Sequence, residues 1–424
     1  MKSSSTRSEF EEVIFSSRAA FSKRSWPYVV SLVVPWLLLA GQRCMTRLAA
    51  ISPRRKSLSA YYRFLSRGKW RLPVLFHSLF GLIQRTFPSP TLTLALDDTL
   101  VPKVGRGIFG TGYHYDHVGR PRPGAVWGHN WLVVTVVVQV GSIAWIALPF
   151  WISLYRAKKS CPPKEFRNRT ELALEALRAV RTWFSGRIDL LADGAYCHGE
   201  LIATLDELGI HLISRLRANA RLYDPTPPAR RAGKRGRKAR HGARFSLSQR
   251  LACASKFVAL DVAIYGKHVT LLAYECLAWW PPAKRVMKVV ITKDPKHPGR
   301  VAYLTTTDTT LSAKQVIELF ARRWTIEQLF SVCKNQLGLD SGEYRTANSV
   351  TRHAALTVAL ATWVEVWAWR KNPRTAASSF ANKLTRLREE TVTSLIFSTG
   401  PRTRRLDRIS RSMAGLFATA TRAA

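Results

Sequence analysis

From Trp131 to Tyr155 the chain runs for 25 residues without one Asp, Glu, Lys or Arg. No other feature restricts the possible folds as sharply. By length such a run could cross a bilayer, which takes about 20 apolar residues as a helix. Its composition argues for something else. Trp131-Leu-Val-Val-Thr-Val-Val-Val-Gln-Val140 is heavily β-branched, Gly141-Ser142 interrupts it, and Pro149 stands inside the remainder. β-branched residues favour the pleated backbone, and a Gly-Ser break marks a turn. The run therefore predicts two buried strands joined by a tight turn.

A second apolar run, Tyr28 to Gly41, is too short to span and contains Pro35. The start, Met1-Lys-Ser-Ser-Ser-Thr-Arg-Ser8, leads into no apolar segment of the secretory type. The expectation is a cytoplasmic, nucleoid-associated protein with no membrane partner. The six cysteines are scattered, with no C-x-x-C pair, so reduced thiols are expected in place of a disulfide framework or zinc knuckle. Charge is the abnormal quantity: 66 basic against 27 acidic residues give +39, and eight of the fifteen residues from Arg230 to Arg244 are Lys or Arg. Such a field selects a polyanion, nucleic acid before an anionic membrane surface. The basic run, with Arg235, Arg237 and Lys238 at its centre, is expected to add salt-dependent, sequence-independent affinity for DNA.

Residues 1 to about 88 read as helical and basic, ending at Pro88-Ser-Pro90. Thr91-Leu-Thr-Leu-Ala-Leu96 alternates as a strand that stops at Asp97-Asp98-Thr99. A Gly-rich loop and the two apolar strands follow. Thr170 to Phe184 has helical periodicity, and Ile188 to Ala192 is a strand delivering Asp193-Gly194-Ala195-Tyr196. A helix to about Leu208 and a strand from His211 to Leu216 complete the order: three strands, helix, strand, helix, strand. It matches the α/β ribonuclease-H-like arrangement, in which a mixed sheet carries acids at the ends of two adjacent central strands. Residues 218 to 305 break that pattern with short β segments at Phe257 to Ala263, His268 to Tyr274, Met287 to Ile291 and Val301 to Thr305. These read as a β-rich insertion.

After the insertion a helix is predicted from Ser312, where Ser312 and Gln315 form a capping box, to Lys334. At about 100° per residue, Phe320, Arg323, Glu327 and Lys334 share one stripe. Apolar residues cover nearly every other side, which predicts a buried helix. An acid between two bases could hold a metal while the bases hold phosphate; an internal salt-bridge ladder fits the stripe equally well. Phosphodiester chemistry on DNA needs an activated nucleophile and neutralised phosphate charge. Two divalent ions held by converging carboxylates supply both. The candidate acids are Asp98, Asp193 and Glu327, and strand parity leaves Asp97 as an alternative to Asp98.

Three blocks together resemble the DDE transposases of bacterial insertion sequences, in particular the IS4-like group. Asp97-Asp98-Thr99 looks like the first motif, whose second acid is the metal ligand. Asp193-Gly194-Ala195-Tyr196, with Ile213-Ser-Arg-Leu-Arg217 downstream, looks like the second. Arg323, Glu327 and Lys334 match the signature Tyr-x2-Arg-x3-Glu-x6-Lys, with Phe320 standing where that signature has Tyr. The 134 residues from Asp193 to Glu327 suit members that carry a β insertion there. The resemblance implies that Asp98 bridges two Mg2+ (or Mn2+) ions, with Asp193 and Glu327 each completing one site. It implies cleavage at the terminal inverted repeats, strand transfer into target DNA, and at least a homodimer on double-stranded DNA. Arg323 and Lys334 would hold phosphates, and Arg215 and Arg217 would add DNA contacts. Tyr303 or Trp324 would stack a flipped base in relatives that make a hairpin, although core packing suits both better.

The expected domains are a helical, basic, DNA-binding segment at 1–88 and the first part of the core at 89–217. The insertion at 218–305, completing helices at 306–372 and a basic tail at 373–424 follow. Other enzymes of the fold, such as a junction resolvase, fit the insertion and the Arg-x3-Glu-x6-Lys spacing less well. A DNA-binding protein with decayed catalysis is the alternative outside enzymes. Gly105-Arg-Gly107-Ile-Phe-Gly110 satisfies G-x-G-x-x-G but opens no helix, so it is read as a surface or DNA-facing loop. His114, Asp116 and His117 have ligand chemistry at a spacing that loops meet by chance.

Overall fold

The computed structural model describes residues 8–39, 41–52, 56–116, 124–228, 239–373 and 377–397. Five helices come first: α1 (Glu9–Phe15), α2 (Trp26–Leu38), α3 (Met45–Ala50), α4 (Leu58–Arg67) and α5 (Leu72–Thr86). Strands β1 (Thr91–Pro102), β2 (Gly112–Asp116), β3 (Gly124–Gln139) and β4 (Trp145–Tyr155) precede α6 (Arg169–Trp183) and β5 (Arg187–Ala192). Then come α7 (Gly199–Glu207), β6 (Ile210–Arg215), β7 (Leu222–Tyr223), β8 (Arg244–Phe245) and α8 (Leu247–Leu251). Four longer strands follow: β9 (Val258–Ile264), β10 (Lys267–Trp280), β11 (Arg285–Asp294) and β12 (His297–Thr306). The last described elements are α9 (Ala313–Arg322), α10 (Trp324–Ser331), α11 (Ala347–Lys371) and α12 (Phe380–Phe397).

The uncharged run forms β3 and β4, paired antiparallel around the turn after Gln139. The inner residues Leu132, Val134, Leu148 and Phe150 are fully buried. Helices α5, α6, α10 and α11 pack on β4, so apolar side chains on both faces find cover. Among the described residues no helix is long and apolar enough to cross a membrane. β3 also pairs antiparallel with β1, while β1, β5 and β6 run parallel. Right-handed crossovers through a helix are how parallel neighbours are joined, and α7 serves that purpose between β5 and β6.

Three expectations are corrected here. The first strand does not stop before Asp97: β1 continues to Pro102, so Asp97 and Asp98 lie within it, at opposite parity. The Gly-rich loop contains a further strand, β2, on the edge of the sheet beside β3. The late helix is not one regular rod. It is interrupted at Arg323, and Val332–Gln336 widen into a π-turn, which shifts the angular position of everything beyond it. Nor is it covered all round, since Trp324 is 47% exposed.

Residues 218–305 contribute to the same sheet. β12 pairs antiparallel with β6, and β11, β10, β7 and β8 extend the order outward. Among the described residues the result is a mixed α/β arrangement built on one twelve-stranded sheet. The capping box at Ser312 and Gln315 is present at the start of α9. The N-terminal helices pack on the late ones, α1, α4 and α5 against α11 and α2 against α12. Glu365 of α11 and Lys383 of α12 form a buried ion pair at 2.6 Å.

Candidate active site

β1 and β5 are in parallel register, with Leu96 opposite Ala192. The next residues, Asp97 and Asp193, therefore stand side by side where β5 ends. Asp193 starts a single 3-10 turn, Gly194–Tyr196. Ser214 Oγ, at the end of β6, donates to the Asp193 carbonyl at 3.1 Å. A side chain at Gly194 would come 3.3 Å from the Arg215 carbonyl oxygen. Glycine there lets the turn close on β6.

Opposite parity sends the paired aspartates to different faces of the sheet. Asp97 faces the late helices. Arg323 Nη1 lies 2.6 Å from Asp97 Oδ2, and Arg323 Nη2 lies 2.7 Å from Glu327 Oε1. One planar guanidinium thus grips two carboxylates with separate nitrogens, a geometry a lysine cannot reproduce. The ring of Phe320 lies 5.6 Å from the Arg323 guanidinium carbon and backs it. Burial raises the Asp97 carboxyl to about 7; Arg323 opposes that rise, and Asp98 and Asp193 add to it.

Asp98 faces the other way, into a polar cage. Asn130 Nδ2 donates to its Oδ2 at 3.0 Å, and Tyr196 Oη donates to its Oδ1 at 3.2 Å. Arg169 Nε approaches Oδ2 at 3.5 Å, its guanidinium lying on the Tyr155 ring. Burial, then the charge of Asp98, pushes the Tyr196 hydroxyl well above its usual value, so it remains a donor. The motif groups Asp98 with Asp193 and Glu327. In the structure Arg323 joins Asp97 to Glu327, Asp193 follows the β5 partner of Leu96, and Asp98 lies on Tyr196. No motif marks Asn130 and Arg169; only strand register and the position of α6 bring them to Asp98.

Lys334 leaves the stripe through the π-turn. Burial lowers its ammonium, and the acids acting on it are Asp116 and Asp340. The continuous salt-bridge ladder is therefore not formed; the Arg323–Glu327 pair is its one realised rung among the described residues. Arg215 and Arg217 are exposed just past the Asp193 turn. Arg235, Arg237 and Lys238 lie outside the described residues, as does His117. His114 is buried in β2, and burial lowers its pKa. Tyr303 is half-buried in β12, opposite Ile291. Trp324 meets the edge of Tyr265 beside a groove of about 620 Å³. That groove is lined by Trp145, Arg322 and Trp324, and none of Asp97, Asp193 and Glu327 reaches it.

Among the described residues no three His, Cys, Asp or Glu side chains close into a ready-made metal cage. Asp97, Asp193 and Glu327 nonetheless supply carboxylate oxygens, the donor type that hard divalent cations take, and Arg323 stands between Asp97 and Glu327. No curated protein matches the chain. The sequence profile described as DDE superfamily endonuclease matches residues 18–271, more than half of the chain, covering β1 and Asp193 and ending before Glu327. On that match, with its paired acids at β1 and β5, the chain belongs to the DDE superfamily of endonucleases.

Proposed function

We propose that this endonuclease is a transposase of the IS4-like group, with a ribonuclease-H-like core whose working acids are Asp97, Asp193 and Glu327. One observation carries the reading: a single guanidinium, Arg323, grips Asp97 and Glu327 while Asp193 stands beside Asp97. The strand order β4-β3-β1-β5-β6, antiparallel on one side of β1 and parallel on the other, supports the fold assignment. Asp97 takes the role that the sequence motif assigned to Asp98.

The three acids would hold Mg2+ or Mn2+, oxygen-seeking ions that suit carboxylates. When bound, such ions neutralise charge on the phosphate and activate the attacking water or 3′-hydroxyl. The rest falls to the chain. Arg323, relieved of its carboxylate partners, offers two parallel N–H donors to a phosphate oxygen pair. The Phe320 ring stands beside that guanidinium. Arg215 and Arg217, exposed beyond the Asp193 turn, and Lys334 attract the backbone on either side. Asp98 holds Tyr196 and so fixes the turn that carries Asp193. The N-terminal helices, the basic run and the tail add affinity that falls with salt. Paired terminal repeats require a homodimer on DNA.

The test is cleavage and strand transfer on DNA carrying the flanking terminal inverted repeats. Wild type should act with Mg2+, and Glu327→Ala should abolish both reactions while DNA binding stays within a few-fold. Unimpaired cleavage by Glu327→Ala would sink the proposal.

A further inference from the structure

The edge strand β2 displays two large aromatic side chains on one face. Tyr113 and Tyr115 are 57% and 59% exposed, while His114 between them is 5% exposed. Tyr113 pairs with Trp127 and Tyr115 with Ala125 on β3. Arg106, from the loop before β2, lies 4.7 Å over the Trp127 ring and 5.7 Å from the Tyr113 ring centre. Its Nη2 donates to the Tyr113 hydroxyl at 3.3 Å. Trp127 Nε1 donates to the Gly105 carbonyl at 3.4 Å, which fixes the indole as well. Exposed Arg345 lies beside the same loop, its Nε 3.9 Å from the position of a Cβ on Gly107.

Register connects this shelf to the active site. Directly opposed residues on neighbouring strands share a face. Asp97 opposes Val133 on β3, and Trp127 and Tyr113 have the same parity as Val133. The shelf is therefore on the Asp97 face of the sheet. Asp116, at the end of β2, is one of the charges acting on Lys334.

We propose that Tyr113, Tyr115, Trp127 and Arg106 form a stacking platform for unpaired nucleotides of the DNA substrate; this rests on the DNA-cleaving reading above. Every base has a π-face, so exposed aromatic rings bind single strands without regard to sequence. Guanidinium groups beside them hold the backbone phosphates, and the chain's charge of +39 favours that occupant over an apolar peptide. The pre-stacked Arg106 and Trp127 need little ordering on binding.

The experiment compares the full chain on one fluorescent duplex, blunt or with an eight-nucleotide single-stranded extension, in Ca2+ to suppress cleavage. Wild type should prefer the extended DNA. The double variant Tyr113→Thr/Tyr115→Thr keeps β-propensity. It should lose roughly 10- to 100-fold on the extended DNA and change little on the blunt duplex. Tyr113→Phe/Tyr115→Phe, which keeps the rings, should bind as wild type. Equal losses on both DNAs, or no loss, overturn the platform and leave the cleavage reading standing. So does an altered oligomeric state with the preference retained, which would make β2 a pairing edge for a second copy. Wild type that binds neither DNA overturns both.

Discussion

Asp97→Asn should reduce cleavage by more than about 10³-fold, while Asp98→Asn should reduce it by only about 10- to 100-fold. The first figure follows from losing a carboxylate that directs several kcal/mol of charge stabilisation to the phosphate. The second is the usual cost of disturbing a residue that orients a ligand without being one. Asparagine at 98 keeps an acceptor for Tyr196 but loses the charge that holds Arg169. Side-by-side rates on the terminal-repeat substrate measure the contrast. Equal losses would place both acids in the chemistry. A larger loss at Asp98 would return the role to the residue favoured by the motif.

Arg323→Gln should cost about 10²- to 10³-fold in the cleavage rate, the usual scale for removing a donor aimed at developing charge. Arg323→Lys should recover little of it, because an ammonium cannot make the two-armed contact seen with Asp97 and Glu327. Overall DNA affinity should shift only a few-fold, since one charge among 66 basic residues is lost. The informative comparison is between glutamine and lysine under identical salt. If lysine restores the rate, Arg323 supplies bulk charge and its planar fork is irrelevant.

Much of the frame was legible along the chain because it rests on local chemistry. β-branched residues around Gly141-Ser142 specify the β3–β4 pair, and the Ser312/Gln315 box specifies the start of α9. Asp193 follows a short apolar strand that ends where the pattern says it should. What escaped depends on long-range or cumulative geometry. Whether Asp97 or Asp98 faces Glu327 turns on strand parity, and parity means nothing until a neighbouring element defines the faces. The π-turn at Val332–Gln336 defeats a helical wheel, which is why Lys334 parts from the stripe. β2 hides in a Gly-rich segment because an edge strand needs only one partner, β3. That residues 218–305 extend the central sheet follows from the β12–β6 pairing, a contact between segments about ninety residues apart that no local pattern records.

In the proposed reading the acids on the Asp97 face hold the cation. Titrating Mn2+ into DNA-free protein and following the free ion by electron paramagnetic resonance tests it without relying on turnover. Wild type and Asp98→Asn should bind Mn2+ with affinities within about ten- to a hundredfold of each other. Asp97→Asn and Glu327→Gln should lose binding over the accessible range. Full Mn2+ binding by Asp97→Asn, together with its loss in Asp98→Asn, would contradict the account.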